Sequence, residues 1–369
     1  MRAAVRAWAE LLRVSALFTV PGDALAGAAA LGRRPGRGTA LAVGASLCLY
    51  EAGMALNDWA DRDEDAIDRP HRPIPSGRIT PGAALAAAGA LTAAGLTMAA
   101  RAGRPALTVA TGLAATVWAY DLRLKHTQAG PAAMAAARAL DLLLGATATA
   151  TAGPGAASVG VERPVGANGT SRAARSAGTS LPTRTARILS GAHAPGPAQP
   201  MRPARTAHTD VRAALPAAAL LGAHTYAVTA VSRHEAQGGS TAAPLGALAA
   251  IVALGAAAVR EQRGSRDLPP VPGEGGSGDH HRTRPGAPAP RLLLTALTAA
   301  YLRTAAEPLL HATLNPSPPL TQRAVGSGIR AMIPLQAVLA ARAGAAGTGL
   351  AVMGLVPLAR TLARKVSPT

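Results

Sequence analysis

Ten long apolar stretches, separated by polar or Gly- and Pro-rich segments, dominate the hydrophobic pattern of the chain. Most contain about 20 residues, the length of α-helix that crosses about 30 Å of hydrocarbon. They do not alternate with a period of two, so the pattern favours helices over strands. The sequence therefore predicts an all-α bundle of transmembrane helices. The stretches lie near residues 11–31, 39–58, 82–100, 105–121, 131–152, 211–231, 241–259, 291–312, 324–342 and 346–362.

Two of these stretches decide the expected number of spans. Residues 11–31 follow a basic start, as in a signal peptide, but charges interrupt the run and it is too long; we interpret it as a retained first helix. Residues 324–342 contain Arg330 and Pro334, so we expect this stretch to lie at the membrane interface. The pattern therefore predicts about nine spans.

Two further segments lack the large apolar residues that a packed core needs. Residues 153–210 and 263–290 are rich in Gly, Pro and Arg, and neither can bury enough surface to offset the entropy of ordering. We predict two disordered polar loops. They separate an N-terminal helical half (1–152), a central helical pair (211–262) and C-terminal helices (291–369).

Composition and charge decide between two classes of protein. The 369 residues are 49% hydrophobic and 15% charged, against roughly 25% charged in an average soluble domain. The net charge of +18 would suit nucleic acid, but the basic residues are scattered and do not alternate with aromatic ones. The expected partner is therefore the lipid bilayer and not nucleic acid. The single cysteine, Cys48, excludes an internal disulfide framework and a Cys-based zinc site.

An Asp-rich motif at residues 57–65 directly follows the second apolar stretch, and the segment reads NDWADRDEDAIDRPHRPIPSGR as far as residue 78. Asp58, Asp61 and Asp65 are three and four residues apart, which would place their carboxylates on one face of a helix. Clustered carboxylates repel one another unless a positive charge lies between them. Oxygen ligands of this kind suit Mg²⁺.

Arginines follow these carboxylates in a proline-rich segment. Arg69, Arg72 and Arg78 are suited to bidentate contact with phosphate. Together with a divalent cation, the carboxylates and arginines form a composite site for a diphosphate. A solvated loop between two helices is the alternative, but the matched helical spacing favours a functional site.

The segment at residues 57–80 resembles the NDxxDxxxD signature, with its RPxxSG continuation, of the UbiA-type intramembrane prenyltransferase superfamily. A weaker resemblance follows the fourth span, where Tyr120 and Lys125 match a Tyr-centred motif of that family and Asp121 replaces its usual proline. The resemblance implies a helical bundle around a cavity that binds Mg²⁺ and an isoprenyl diphosphate. Ionisation of the C–O bond would leave a carbocation that alkylates a lipophilic acceptor. The implied magnesium ligands are Asp58, Asp61 and Asp65, and the implied diphosphate contacts are Asn57, Arg72 and Lys125.

The second Asp-rich motif of the family is altered in this chain. Its place after the sixth span is taken by Ser232, Arg233, His234 and Glu235. Glu235 and His234 are the candidate catalytic residues here, as magnesium ligand and base, and Arg233 is a candidate phosphate contact. The alternative is that the ordinary diphosphate site is lost.

This combination of motifs resembles the EboC-like branch of the superfamily. The branch's Arg-x-x-x-Leu-Phe-Thr-x-Pro-x-Asp pattern is matched at residues 13–23. Members of that branch are tied to the export or maturation of secondary metabolites. Two functions therefore stay open: prenyl transfer by a multi-pass protein of the cell membrane, and binding or translocation of an amphipathic secondary metabolite by a catalytically altered relative.

Other polar side chains lie within the apolar stretches, where ionisable groups are costly and are functional candidates by default. Asp23, Glu51 and Tyr120 are expected to line the cavity. Glu51 lies seven residues before the first aspartate of the motif, two turns deeper on the same helix face. Arg138 and Asp141 are three residues apart and can form an ion pair.

Overall fold

Helices account for the regular structure of the described residues, which are 2–151, 210–234, 240–264 and 288–357 of the computed structural model. No strand occurs in these ranges, so the all-α prediction is confirmed. The helices are α1 (Arg2–Leu11), α2 (Pro21–Ala30), α3 (Arg37–Ala60), α4 (Arg62–Asp68), α5 (Pro81–Ala102), α6 (Arg104–Ala119), α7 (Gly130–Thr151), α8 (Leu215–Ser232), α9 (Ala242–Gly264), α10 (Pro288–Leu314), α11 (Pro318–Arg342) and α12 (Ala346–Met353).

Most of the two predicted polar loops lies outside the described residues. At their edges, α9 continues to Gly264 and α10 begins at Pro288, so the second segment is shorter than 263–290. Three short segments complete the described structure: 3₁₀ turns at Val14–Thr19 and Val211–Ala214, and a π-helical turn at Tyr120–Leu124.

Six helical segments of the described chain are long and apolar enough to span a membrane. The predicted count of nine is therefore not confirmed. Two of the apolar stretches are not among the six. Helix α6 has only 16 residues and is too short, and Arg303 and Glu307 in the middle of α10 make that helix less apolar. The six segments are Arg37–Ala60, Pro81–Ala102, Gly130–Thr151, Val211–Ser232, Ala242–Arg260 and Pro318–Arg342.

The first apolar stretch is not the single helix that the pattern predicts. The chain leaves α1 after Leu11 and turns at Arg13, which has φ 48° and ψ 47° in the left-handed region. A 3₁₀ segment follows, and α2 begins at Pro21. Proline lacks an amide hydrogen, so it starts a helix well but cannot continue the preceding one.

The interfacial placement expected for residues 324–342 is wrong. The stretch forms most of α11, in which 78% of the apolar segment is buried, against 22% for α5. Helix α11 contacts α2, α8, α10 and α12. Pro334 lies inside α11 and is buried, and Arg330 donates to the Ser327 hydroxyl at 2.9 Å. The proline is tolerated because the helix packs against protein on several sides, whereas Arg330 lies on the exposed face of the helix.

Small residues allow the helices to approach closely, as is common in membrane bundles. A Cβ atom at Gly27 of α2 would collide with the Leu142 carbonyl of α7, and one at Gly145 of α7 would collide with the backbone of Ala24. Helix α7 contributes to two apolar clusters, one with α3, α5 and α6 and one with α8 to α11. It therefore lies between the two halves of the described bundle.

Candidate active site

The Asp-rich motif crosses the junction of two helices rather than lying on one helix as predicted. Helix α3 ends at Ala60, Asp61 is the cap residue and α4 begins at Arg62. The Asp61 amide donates to the Asn57 carbonyl at 3.0 Å, and the Asp65 amide donates to the Asp61 carbonyl at 2.7 Å. The helical spacing is therefore nearly preserved across the junction.

Three arginines neutralise the buried aspartates of the motif, and one of them, Arg69, has its Nη1 3.4 Å from Asp65 Oδ1. Asp58 and Asp65 are only 5% and 2% exposed. Arg72 Nη1 lies 2.6 Å from Asp65 Oδ2 and 3.4 Å from Asp58 Oδ1, and Arg13 Nη2 donates to Asp58 Oδ1 at 3.1 Å. Arg72, which the resemblance assigns to diphosphate, lies between the two carboxylates here. The positive charge that clustered carboxylates require is supplied by this chain's own side chains.

The segment after α6 places a lysine beside Asp61, the remaining aspartate of the motif. The π-helical turn is closed by the Lys125 amide, which donates to the Tyr120 carbonyl at 3.0 Å; such turns are frequent at functional sites. Lys125 Nζ donates to Asp61 Oδ1. Asp61, Glu64 and His126 each offer a ligand atom, and these atoms lie within 4.8 Å of one another.

A cavity of about 250 Å³ lies beside the motif and is lined mainly by α3, α6 and α7. Its polar lining forms two groups that are far apart along α3, with Tyr50 and mostly apolar side chains between them. The outer polar group is Arg13, Asn57, Tyr120 and Asp121; the apolar lining includes Leu49, Met54, Leu113, Val117 and Met134; the inner polar group is Ser46, Arg138 and Asp141.

The three residues expected to line the cavity have different positions. Tyr120 lies in the lining, whereas Asp23 and Glu51 are buried outside it. Arg138 does not pair with its neighbour Asp141, as the spacing allows; its Nε lies 2.9 Å from Asp23 Oδ2 of α2. Asp141 instead accepts a hydrogen bond from the Ser46 hydroxyl of α3.

Two lining residues had no role in the interpretation of the sequence. Asp121 is 4% exposed and accepts from Asn57 Nδ2 at 3.2 Å. Arg13 is the first residue of the sequence pattern at residues 13–23, and that pattern was the feature of the sequence that pointed to it. For Asp121 the signal was its replacement of the family's proline, directly after the Tyr of the second motif.

The altered second motif reaches the same end of the bundle through Arg233. Its Nη1 donates to the Thr127 carbonyl at 2.7 Å, two residues beyond Lys125. The Ser232 hydroxyl donates to the Thr229 carbonyl of its own helix. His234 follows the end of α8, and the candidate Glu235 lies outside the described residues.

Helix α1 is tied to the segment that follows the Asp-rich motif. Arg78 Nη1 and Nη2 lie 2.7 and 3.1 Å from the two carboxylate oxygens of Glu10. This bidentate bond lowers the pKa of Glu10 and raises the pKa of Arg78. Both side chains are solvated, so the pair positions α1 more than it stabilises the fold.

Comparisons with known proteins agree with these motifs. The model of the UbiA prenyltransferase family matches residues 15–161. Over 128 residues the chain is 37% identical to digeranylgeranylglyceryl phosphate synthase of Methanopyrus kandleri, a match that covers 33% of this chain and 45% of that protein. The chain thus spans less than half the length of this relative.

Two solved structures match over almost the whole chain. A UbiA homologue from Archaeoglobus fulgidus, bound to GPP and Mg²⁺, has a TM-score of 0.52 and 18% identity and covers 94% of this chain and 99% of its own. The apo UbiA homologue from Aeropyrum pernix K1 has a TM-score of 0.52 and 15% identity, with 92% and 98% covered. At this identity the likeness shows a common fold. The chain is therefore an α-helical protein with the fold of the solved UbiA homologues, whose residues 15–161 match the UbiA prenyltransferase family model and whose described part has six segments long and apolar enough to span a membrane.

Proposed function

We propose that this chain is a multi-pass prenyltransferase of the cell membrane. It would transfer a prenyl group from an isoprenyl diphosphate to a lipophilic acceptor in the presence of Mg²⁺, which makes it a transferase of alkyl or aryl groups other than methyl. The observation that carries the proposal is the convergence of the motif's three aspartates with Arg13, Arg69, Arg72 and Lys125 beside a largely apolar cavity. The assignment to the EboC-like branch stays a prediction.

The donor set suits magnesium. Each aspartate offers two hard oxygen ligands, and the basic side chains now against them would turn to the diphosphate when a cation takes their place. Asp58, Asp61 and Asp65 would hold the ion. When bound, it would supply charge neutralisation for the departing diphosphate.

The basic side chains have a second use once the carboxylates are shared with a cation. Arg13, Arg72 and Lys125 can then donate to diphosphate oxygens, where negative charge grows as the C–O bond breaks. Arg233, held 2.7 Å from the Thr127 carbonyl, lies on the neighbouring segment and can add a further positive charge.

The cavity lining suits the other half of the substrate. Apolar side chains between the two polar groups can bury a prenyl tail and keep water from a carbocation. Asp121 faces the outer end of this cavity. Its carboxylate can stabilise positive charge there or take the proton that the acceptor loses.

Diphosphate release by the purified protein tests the proposal. We expect Mg²⁺-dependent release from an isoprenyl diphosphate, lost in Asp61→Asn. Asp68→Asn, an exposed change in the same acidic run, is the matched control and should retain release. Absence of both release and a thermal shift with every prenyl chain length would contradict the proposal.

The second candidate is binding or translocation of an amphipathic secondary metabolite. It is favoured by the altered second motif, in which Ser232 and Arg233 bond to backbone carbonyls and supply no carboxylate. Saturable binding of an isoprenyl diphosphate without any turnover would support this function over transfer.

A further inference from the structure

Charged and polar groups line the inner end of the cavity. Asp141 accepts from the Ser46 hydroxyl, and both residues line the cavity. Arg138, also in the lining, has its Nε 2.9 Å from Asp23 Oδ2. We call Ser46, Asp23, Arg138 and Asp141 the polar floor.

The polar floor is fixed from behind by two other elements. Arg138 Nη2 donates to the Thr19 carbonyl at 2.6 Å. The fully buried Gln336 of α11 donates through Nε2 to the same carbonyl at 2.6 Å and to Asp23 Oδ1 at 2.7 Å. Gly22 leaves the space for this amide, since a Cβ atom there would collide with Gln336 Oε1. Helices α2, α3, α7 and α11 therefore meet at one hydrogen-bonded cluster.

Beyond the polar floor, α2 and α7 pack too closely to leave space for a tail between them. One turn past Asp141, Gly145 packs directly on the backbone of Ala24. Gly27 packs equally closely on the carbonyl of Leu142. These contacts are between backbones, so rotation of a side chain cannot open them.

The distance between the two ends of the cavity sets a limit. Asn57 and Ser46 are eleven residues apart on α3, which corresponds to about 16 Å of helix. An apolar tail that is anchored at the outer group and runs along α3 meets the polar floor within this distance. To go further it would have to separate Arg138 from Asp23, leaving buried charges without their partners.

We propose that the polar floor limits the length of the prenyl chain that the cavity accepts. The proposal rests on the proposed function, because it assumes that a prenyl tail occupies this cavity. Dimethylallyl and geranyl groups would end above the floor, whereas a geranylgeranyl group would reach it. Arg138 and Asp141 are thus specificity-determining residues, remote from the diphosphate.

Two matched series of ligands, one with and one without a diphosphate, test the length limit separately from diphosphate binding. The full chain, purified in detergent, is titrated with prenyl diphosphates plus Mg²⁺ and with the corresponding prenyl alcohols, from dimethylallyl to geranylgeranyl. We expect affinity to rise up to geranyl and to fall by at least about tenfold at geranylgeranyl, because a longer tail must break the ion pair. The fall should occur in both series.

The outcomes distinguish the two proposals. A length limit with the alcohols but no binding of diphosphates would support the floor and contradict the prenyltransferase function. Geranylgeranyl ligands that bind as tightly as geranyl ligands in both series would overturn the floor. Absence of binding in both series would overturn the two together.

A variant pair tests the residues directly. Asp23→Asn with Arg138→Met removes one charge of each sign and should raise the affinity for geranylgeranyl ligands while leaving geranyl ligands little changed. Thr225→Val, which removes a buried hydroxyl of α8 that bonds its own helix, is the control and should keep the length limit. A length limit unchanged in the folded double variant would contradict the assignment.

Discussion

The helices on either side of α7 bury polar groups in two different ways. On the N-terminal side, Asp58 and Asp65 share Arg72, and each ion has charged partners at one end of the bundle. On the C-terminal side, His224 is fully buried between Tyr301 and the Gly328 carbonyl, each at 3.0 Å. A carbonyl can only accept, so His224 Nε2 carries the hydrogen and Nδ1 accepts from Tyr301.

This difference in charge distinguishes the candidate site around Arg72 from the packing contact around His224. The His224 network is neutral, and both ring nitrogens are partnered, so it joins α8, α10 and α11 without needing a ligand. The Asp58–Arg72–Asp65 group places ions beside a cavity, where charge is costly. Such an arrangement is expected where a charged ligand binds, and substitutions in the two regions should therefore affect different properties.

The largest effect is expected at Arg72. Arg72→Ala removes the partner that the Asp58 and Asp65 carboxylates share, while Arg13 and Arg69 stay against one carboxylate each, so unfolding free energy should fall by about 1.5–3 kcal/mol. Diphosphate release should also fall by on the order of 10²–10³ in rate, since a donor to the growing negative charge is lost. Thermal unfolding and release assays measure the two effects. A loss of stability with full activity would make Arg72 a packing residue like His224.

The next effect is expected at Asp121. Asp121→Asn keeps the shape of the side chain but removes the charge that faces the cavity. We expect product formation to fall by about 10²-fold, with a melting temperature near that of the parent protein. Asp63→Asn, a change of an exposed side chain of α4, serves as the control. Unchanged product formation would remove Asp121 from the site.

A smaller effect, on stability alone, is expected at Tyr301. Tyr301→Phe leaves the buried Nδ1 of His224 without its donor, which should cost about 1–3 kcal/mol. Diphosphate release per folded molecule should be unchanged, as measured after correction for the folded fraction. A loss of turnover at full folding would show that the two halves are not separable.

The smallest effect is expected at the Glu10–Arg78 pair. Because the pKa of Glu10 is lowered in the folded protein, its stabilising contribution is present above the ordinary pKa and is lost as the pH falls through the lowered value. Glu10→Gln should cost at most about 1 kcal/mol near neutral pH and flatten the acid limb of a stability–pH curve. A difference that grows as the pH falls would contradict this sign.

Local patterns in the sequence were sufficient for the fold class, and they also indicated where a candidate site lies. The apolar stretches gave helices, and the spacing of Asp58, Asp61 and Asp65 drew attention to the junction of α3 and α4. The motif at Tyr120 and Lys125 could be placed beside it only by resemblance. These features depend on neighbours within a few turns, which periodicity and short motifs record.

The features that the sequence did not predict depend on contacts between distant segments. Arg72 lies between two aspartates because the chain folds back after α4, and Arg13 reaches Asp58 from 45 residues away. Arg138 pairs with Asp23 rather than with its neighbour Asp141 because α2 packs closely on α7. The central position of α11 likewise follows from packing and not from its own composition.

Binding of geranyl diphosphate to the purified wild-type protein and to Lys125→Ala, with and without Mg²⁺, tests the central claim most directly. The account predicts saturable binding that requires Mg²⁺ and weakens by at least about tenfold in the variant, because a charge-assisted contact to phosphate is lost. Equal binding with and without Mg²⁺, or equal binding by the two proteins, would contradict the assignment of the Asp-rich motif and Lys125 to a diphosphate site.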